Sequence, residues 1–143
     1  MITKILNRLP EFCFSHWLLR IPLSIVFIQQ GLSKLPINIE DADSFGLPYI
    51  VWWFAAYGEI GAGIGLIVSG IIGSSIWDFW IRDMMHHWSD LLTRFCGITI
   101  CCIMTGVIWV GEPDSLMDVL LYDNLHVFLW VGGLFFALRG KRA

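Results

Sequence analysis

Hydrophobic residues in this chain gather into four nearly uncharged stretches separated by short polar segments. The first runs from about 14 to 35, with Arg20 and Lys34 near its two ends. The second, 47–73, contains a single ionisable acid, Glu59, and the third, 92–111, has Arg94 close to its start. The fourth covers about 119–138, and its uncharged part is only 124–138. A helix crosses a hydrocarbon core of about 30 Å with about 20 residues, so each stretch predicts a membrane span. The uncharged part of the fourth reaches only about 22 Å at helical rise, so that helix must begin before Asp123 or lie in a thinned bilayer.

Residues 74–91, between the second and third stretches, are too polar to cross and too apolar for a plain loop. Trp77, Trp80, Ile81, Met84, Trp88 and Leu91 recur at helical spacing, while Asp78, Arg82, Asp83, His86, His87 and Asp90 fill the other side. This pattern predicts an amphipathic helix lying flat in the headgroup layer, serving either as an anchor for the bundle or as a docking platform for a soluble partner. The expected fold is therefore all-α: one integral membrane domain over 1–143, a four-transmembrane-helix antiparallel bundle with an interfacial helix between its second and third spans.

Composition supports the membrane assignment. Of 143 residues, 57% are apolar and 15% charged, with a net charge of −3; the mean hydropathy is +0.70. A soluble domain of this size could not hide so much apolar surface, a disordered chain would lack it, and a nucleic-acid binder would need a basic patch. The signs of the charges orient the spans. Glu40, Asp41 and Asp43 lie in the first connection, and Glu112, Asp114, Asp118 and Asp123 around the last, with no Lys or Arg among them. Lys4, Arg8, Arg82, Arg94, Arg139, Lys141 and Arg142 fall on the opposite side, which the positive-inside rule makes cytoplasmic. The expectation is a bacterial-type cytoplasmic (inner) membrane, both termini inside, and an opening segment that is not a cleaved signal peptide.

Two features of the second stretch carry candidate chemistry. Gly61, Gly65, Ser69 and Gly73 recur every fourth position, with Gly58 and Ala62 beside them. Small residues let helix backbones approach closely in lipid, so this face reads as the seam of the bundle or as a homodimer contact. Glu59 lies about 16 Å below Pro48 at helical rise, where a carboxylate is costly and usually has a use. On the first span Gln29 and Gln30 sit above that depth and Arg20 below it. Glu59 is thus expected to accept from a glutamine amide or to pair with Arg20, and the partner decides its protonation. It either fixes helix register or handles protons or a ligand.

The residues Leu19-Arg20 through Gly31-Leu32-Ser33-Lys34-Leu35, an Arg, an apolar run and then Gly-Leu-x-Lys-Leu, resemble the first helix of DoxX-like membrane proteins. Gly46-Leu47-Pro48, then Glu59 followed by Gly61, Gly63, Gly65 and Gly70, is similar to their second. The resemblance covers mainly 17–73. It implies a four-helix membrane protein associated with quinone-linked redox enzymes, and Arg20, Lys34 and Glu59 are the positions matching the family's polar pattern. On that reading Glu59 and Arg20 are the candidate catalytic residues and Gln29, Gln30 and Lys34 the candidate contacts to a quinone.

Intrinsic metal or haem ligation is not evident. His16, His86 and His87 belong to the cytoplasmic side and His126 to the outer one; Cys13, Cys96, Cys101 and Cys102 form no CxxC pair. Three functional classes remain. The first is a DoxX-like subunit of a quinone-linked oxidoreductase. The second is a non-catalytic accessory subunit, docking on a larger membrane complex through its glycine and tryptophan faces. The third, a small proton-coupled transporter, ranks last because the chain has no internal repeat. The expected partners are the lipid bilayer and a larger membrane complex or further copies of the chain.

Overall fold

The computed structural model describes residues 15–73 and 82–140, and all of its regular structure is helical. The elements are α1 (Ser15–Ser33), α2 (Ile39–Ser44), α3 (Tyr49–Gly73), α4 (Arg82–Val110), α5 (Leu116–Tyr122) and α6 (Asn124–Arg139). α1 packs along α3, α3 along α4 and α4 along α6, while α1 and α6 touch only lightly. Leu23, Phe27, Leu66, Ile100, Met104, Leu129 and Phe136 form the buried core.

Among the described residues, two segments, Tyr49–Gly73 and Met84–Val110, are long and apolar enough to cross a membrane. α6 is apolar but has only 16 residues, about 24 Å at helical rise. α1 has 19 residues and carries Arg20 within it.

The helix expected to lie flat before the third span differs in the structure. Residues 82–91 are the first part of α4, which continues without interruption to Val110. No Gly or Pro occurs between Arg82 and Gly97 to break the backbone ladder, so the chain has no means of turning at Leu91. Met84, Trp88 and Leu91 do share an exposed apolar face, but it runs on into the span. Residues 74–81 of the expected interfacial helix, like Cys13, lie outside the described residues.

The fourth span also differs. Instead of one helix over 119–138, α5 ends at Tyr122 and α6 begins at Asn124, with Asp123 between them. Local side-chain bonds compete with the helical ladder here: Asn124 Nδ2 donates to the Leu121 carbonyl at 3.2 Å, and His126 Nδ1 pairs with Asp123 Oδ1. The far end of α6 is closed by α4. Arg94 Nη1 donates to the carbonyls of Ala137 (3.1 Å) and Leu138 (2.8 Å), while its Nε bonds Asp90. A guanidinium thus satisfies carbonyls that the end of a helix leaves open. Gly140 follows with φ +60°, and a side chain there would run into Asp90 and Arg94.

Small residues set the spacing between helices, but not as one stripe. Toward α1, the close approaches are Ala56 against Gly31, Gly63 against Ser24 and Gly70 against Trp17, pairs that step by seven in opposite directions. Toward α4, Gly58 meets Ile103 and Gly65 meets Cys96, with the same step. α3 therefore presents two seams, one to each neighbour. Between α4 and α6, Gly97 and Gly133 meet backbone to backbone. Gly61, a member of the expected stripe, faces outward with nothing near it.

This division makes a paired prediction. A methyl group on Gly63 would lie 2.8 Å from the Ser24 carbonyl oxygen, so Gly63→Ala should cost about 1–3 kcal/mol by forcing α1 and α3 apart. Gly61→Ala should be neutral or stabilising by up to about 1 kcal/mol through helix propensity. Unfolding of both variants in detergent checks the contrast, and equal losses would show that the seam is misplaced.

Candidate functional site

Glu59 lies on the face of α3 that also buries Trp52, Ala56, Gly63 and Leu66. That face is turned to α1 by the close approaches at Gly31 and Gly63. The result is a carboxylate with 0% exposure in the interior of the bundle. Its partner is neither a glutamine nor Arg20 but Lys34, whose Nζ stands 2.6 Å from Glu59 Oε2. Helical side chains lean toward the helix N-terminus, so a lysine at the end of α1 reaches back along its own helix rather than out to the headgroups. The Lys34 side chain is only 15% exposed. Its ammonium also lies 3.4 Å from the Gln30 carbonyl and 5.5 Å from the centroid of the Trp52 ring. An ion pair this deep is sustained because each charge meets its opposite at contact distance.

The second carboxylate oxygen, Glu59 Oε1, is buried without a hydrogen-bond partner. A cavity of about 580 Å³ adjoins it. Its walls come mainly from α3 and α4, including Val51, Phe54, Ile103, Val107 and Val110, and Phe45 and Leu47 of the first connection contribute at one end. Gln30, Lys34 and Glu59 supply its ionisable and amide groups, and Cys102 lies on the α4 wall. The step of seven that pairs Gly58 with Ile103 and Gly65 with Cys96 puts Cys102 at the level of Glu59. An apolar chamber with a few convergent polar groups is the usual form of a small-molecule site, and its volume falls within the range of about 300–1,000 Å³ found for such sites.

Arg20 forms a separate polar centre. Its exposure is 1%, and its Nη1 donates to the Leu66 carbonyl and to Ser69 Oγ, the latter at 2.8 Å. Ser69 Oγ donates to the Leu66 carbonyl at 3.0 Å and accepts from Thr93 Oγ1 at 3.0 Å, while Ser89 Oγ donates to the Ser69 carbonyl at 2.7 Å. The guanidinium also sits 4.8 Å from the Phe136 ring centroid and 5.9 Å from that of Trp17. Residues of α1, α3, α4 and α6 thus meet at one cation. Its partners on α3 lie seven to ten residues beyond Glu59, about 10–15 Å along the axis. The expected Glu59–Arg20 pairing is therefore corrected: the two residues face the same seam at different depths.

Of the five residues singled out from the sequence, the structure brings Gln30, Lys34 and Glu59 together, while Arg20 stands apart and Gln29 is exposed outside the cavity. Sequence reasoning did not single out Trp52, Phe45 or Cys102. A signal for Trp52 was present, since it precedes Glu59 by two helical turns and so shares its face. Phe45 and Cys102 depend on long-range register, which no local pattern reveals. Among the described residues, no three His, Cys, Asp or Glu side chains converge as a metal ligand set.

The resemblance read from the sequence is matched by the family model: DoxX covers residues 16–71, which comprise nearly all of α1, the first connection and nearly all of α3. Arg20, Lys34 and Glu59 all fall inside that match. No curated protein and no solved structure gives a match to this chain.

The ion pair generates a prediction about stability. Lys34→Met leaves Glu59 without its counterion and should cost about 3–5 kcal/mol. The double variant Lys34→Met/Glu59→Leu removes both charges and should recover most of that loss. Unfolding of the single and double variants in one detergent measures the coupling, and additive losses would show that the two side chains do not interact.

Proposed function

We propose that the chain is a four-span subunit of a quinone-linked membrane oxidoreductase and that the cavity beside Lys34 and Glu59 receives the quinone head. The observation that carries this reading is the juxtaposition of an apolar chamber with a buried ion pair that retains one unused carboxylate oxygen. The DoxX match over α1 and α3 supports the same class. On this reading α1 and α6 cross with α3 and α4, despite their shorter length, in a bacterial-type cytoplasmic membrane. The acidic connections 36–48 and 111–115 face outward and both chain ends face the cytoplasm.

The residues present fit a quinone. Val51, Phe54, Ile103, Val107 and Val110 offer apolar walls to a ring and the start of a tail. The Lys34 ammonium is a donor placed to bind a carbonyl oxygen, and Glu59 Oε1 is an acceptor for a hydroxyl. A bound quinone supplies two-electron, two-proton chemistry, with the electrons delivered by a partner subunit. This chain's part is to bind and orient the head, to exclude water around it, and to hold a proton at the Glu59 carboxyl. Lys34 keeps that carboxylate in register, and Gln30 adds an amide at the cavity wall. Arg20 acts at a distance by holding the four helices together.

The accessory reading has less support. Of the small-residue stripe it draws on, Gly58 and Gly65 already pack against α4 and Ser69 is bonded to Arg20, while Gly61 still faces outward and Trp88 is exposed. The test is isolation of the chain from native membranes in mild detergent. Wild type should come with a stoichiometric redox enzyme and sustain quinone reduction. Glu59→Gln, whose amide oxygen can still accept from Lys34, should retain the complex and lose at least about tenfold in turnover, a barrier change of about 1.4 kcal/mol or more. Undiminished turnover in that variant would refute the site, and loss of the complex alone would favour the accessory role.

A further inference from the structure

Among the described residues, Trp52 and Glu59 are the side chains bordering the cavity that combine near-complete burial with an unpartnered polar atom. The exposure of Trp52 is 8%, and its indole Nε1 is buried without a hydrogen-bond acceptor. The ring is held in place by neighbours on two other elements. Phe45 stacks on it with centroids 5.0 Å apart and planes at 18°, and the Lys34 ammonium lies over it. Burying an indole N–H without an acceptor costs free energy, commonly about 1–3 kcal/mol, and membrane-embedded Trp side chains usually find a partner for it. The same cost applies to Glu59 Oε1. The cavity thus borders one residue with a spare donor and one with a spare acceptor.

The two residues share a face of α3 and stand seven positions apart, about 10 Å along the helix. Their side chains converge on one ammonium, since Lys34 Nζ lies 2.6 Å from Glu59 Oε2 and 5.5 Å from the Trp52 ring centroid.

We infer that Trp52 is a positioning residue for the second oxygen of a para-dioxygenated ring, donating its indole N–H to one end of the ring while Glu59 and Lys34 hold the other. This rests on the quinone reading of the same cavity. It adds a selection rule: the site takes rings bearing oxygens at both ends, and discriminates against a ring that keeps only one. Discrimination of this kind follows from leaving a buried donor unpaired when the second oxygen is absent.

The experiment uses the full chain in lipid nanodiscs and two ligands with the same decyl tail, a para-benzoquinol and the monophenol lacking the second oxygen. Equilibrium binding is measured for wild type and for Trp52→Phe, which keeps an aromatic ring against Phe45 and removes the donor. In wild type the quinol should bind about tenfold more tightly than the monophenol. In Trp52→Phe the quinol should weaken about tenfold, the monophenol should change by less than about twofold, and the preference should vanish. A tenfold change corresponds to about 1.4 kcal/mol. Should Trp52→Phe fail to fold, the wild-type preference between the two ligands still decides, since equal affinities overturn the inference. An equal loss for both ligands in the variant also overturns it and makes Trp52 a packing residue. If wild type binds neither ligand, the quinone reading fails and this inference falls with it; if wild type binds both alike, only the inference falls.

Discussion

A carboxylate sealed from solvent in an apolar bundle must meet a positive charge or a donor at contact distance, because neither lipid nor hydrocarbon side chains can solvate it. Glu59 meets that requirement through Lys34, and much of the architecture follows. The pair can form only if the end of α1 lies against the middle of α3, which Gly31 and Gly63 permit by letting the two backbones come close. The same contact draws the lysine inward, so its ammonium reaches Glu59 and the ring of Trp52. One carboxylate oxygen is consumed by the pair and the other is left over beside the cavity. A structural role for Glu59 therefore leaves one oxygen unpartnered, and the proposed function draws on that one.

The second buried cation is handled by different means. Arg20 is met by a carbonyl, a serine hydroxyl and two aromatic rings rather than by a carboxylate. A guanidinium is planar, weakly hydrated and able to stack, which suits it to such surroundings better than a lysine would be. Ser69 is the centre of this knot because it accepts from Arg20 and Thr93 while its carbonyl accepts from Ser89. The molecule thus has two polar layers along the same α1–α3 seam. One joins the helices through Arg20 and Ser69, and the other places Lys34, Glu59 and Trp52 beside a cavity. The functional proposal rests on Glu59 and Lys34, which border the cavity, and not on Arg20, which does not.

The extent of the DoxX match has a structural counterpart. Residues 16–71 contain both partners of the ion pair, Arg20 with its α3 partners, and the small residues that let α1 and α3 meet. The remaining wall of the cavity comes from α4, outside that match, through Cys102, Ile103, Val107 and Val110. The match thus contains the polar groups of the site and the α3 side of its apolar wall, while the α4 side lies outside it.

The linear pattern of residues was enough to determine the helical class, the positions of α1 and α3, the apolar length of α4, and that Glu59 is a single acid in a run apolar enough to cross a membrane, because each depends on local periodicity or on composition. It also placed Gln30 and Lys34 at the correct end of α1. Partner choice was decided only by the tertiary structure. Depth counted along separate helices put Arg20 and the glutamines within reach of Glu59, yet the side chains' lean toward the helix N-terminus and the register of α1 on α3 delivered Lys34 instead. Which glycines touch, that α4 runs through Leu91 unbroken, and that Phe45, Trp52 and Cys102 border one chamber are likewise consequences of how helices pack. Such contacts join residues far apart in the chain, and a repeat of 3.6 residues per turn carries no information about which helix stands opposite.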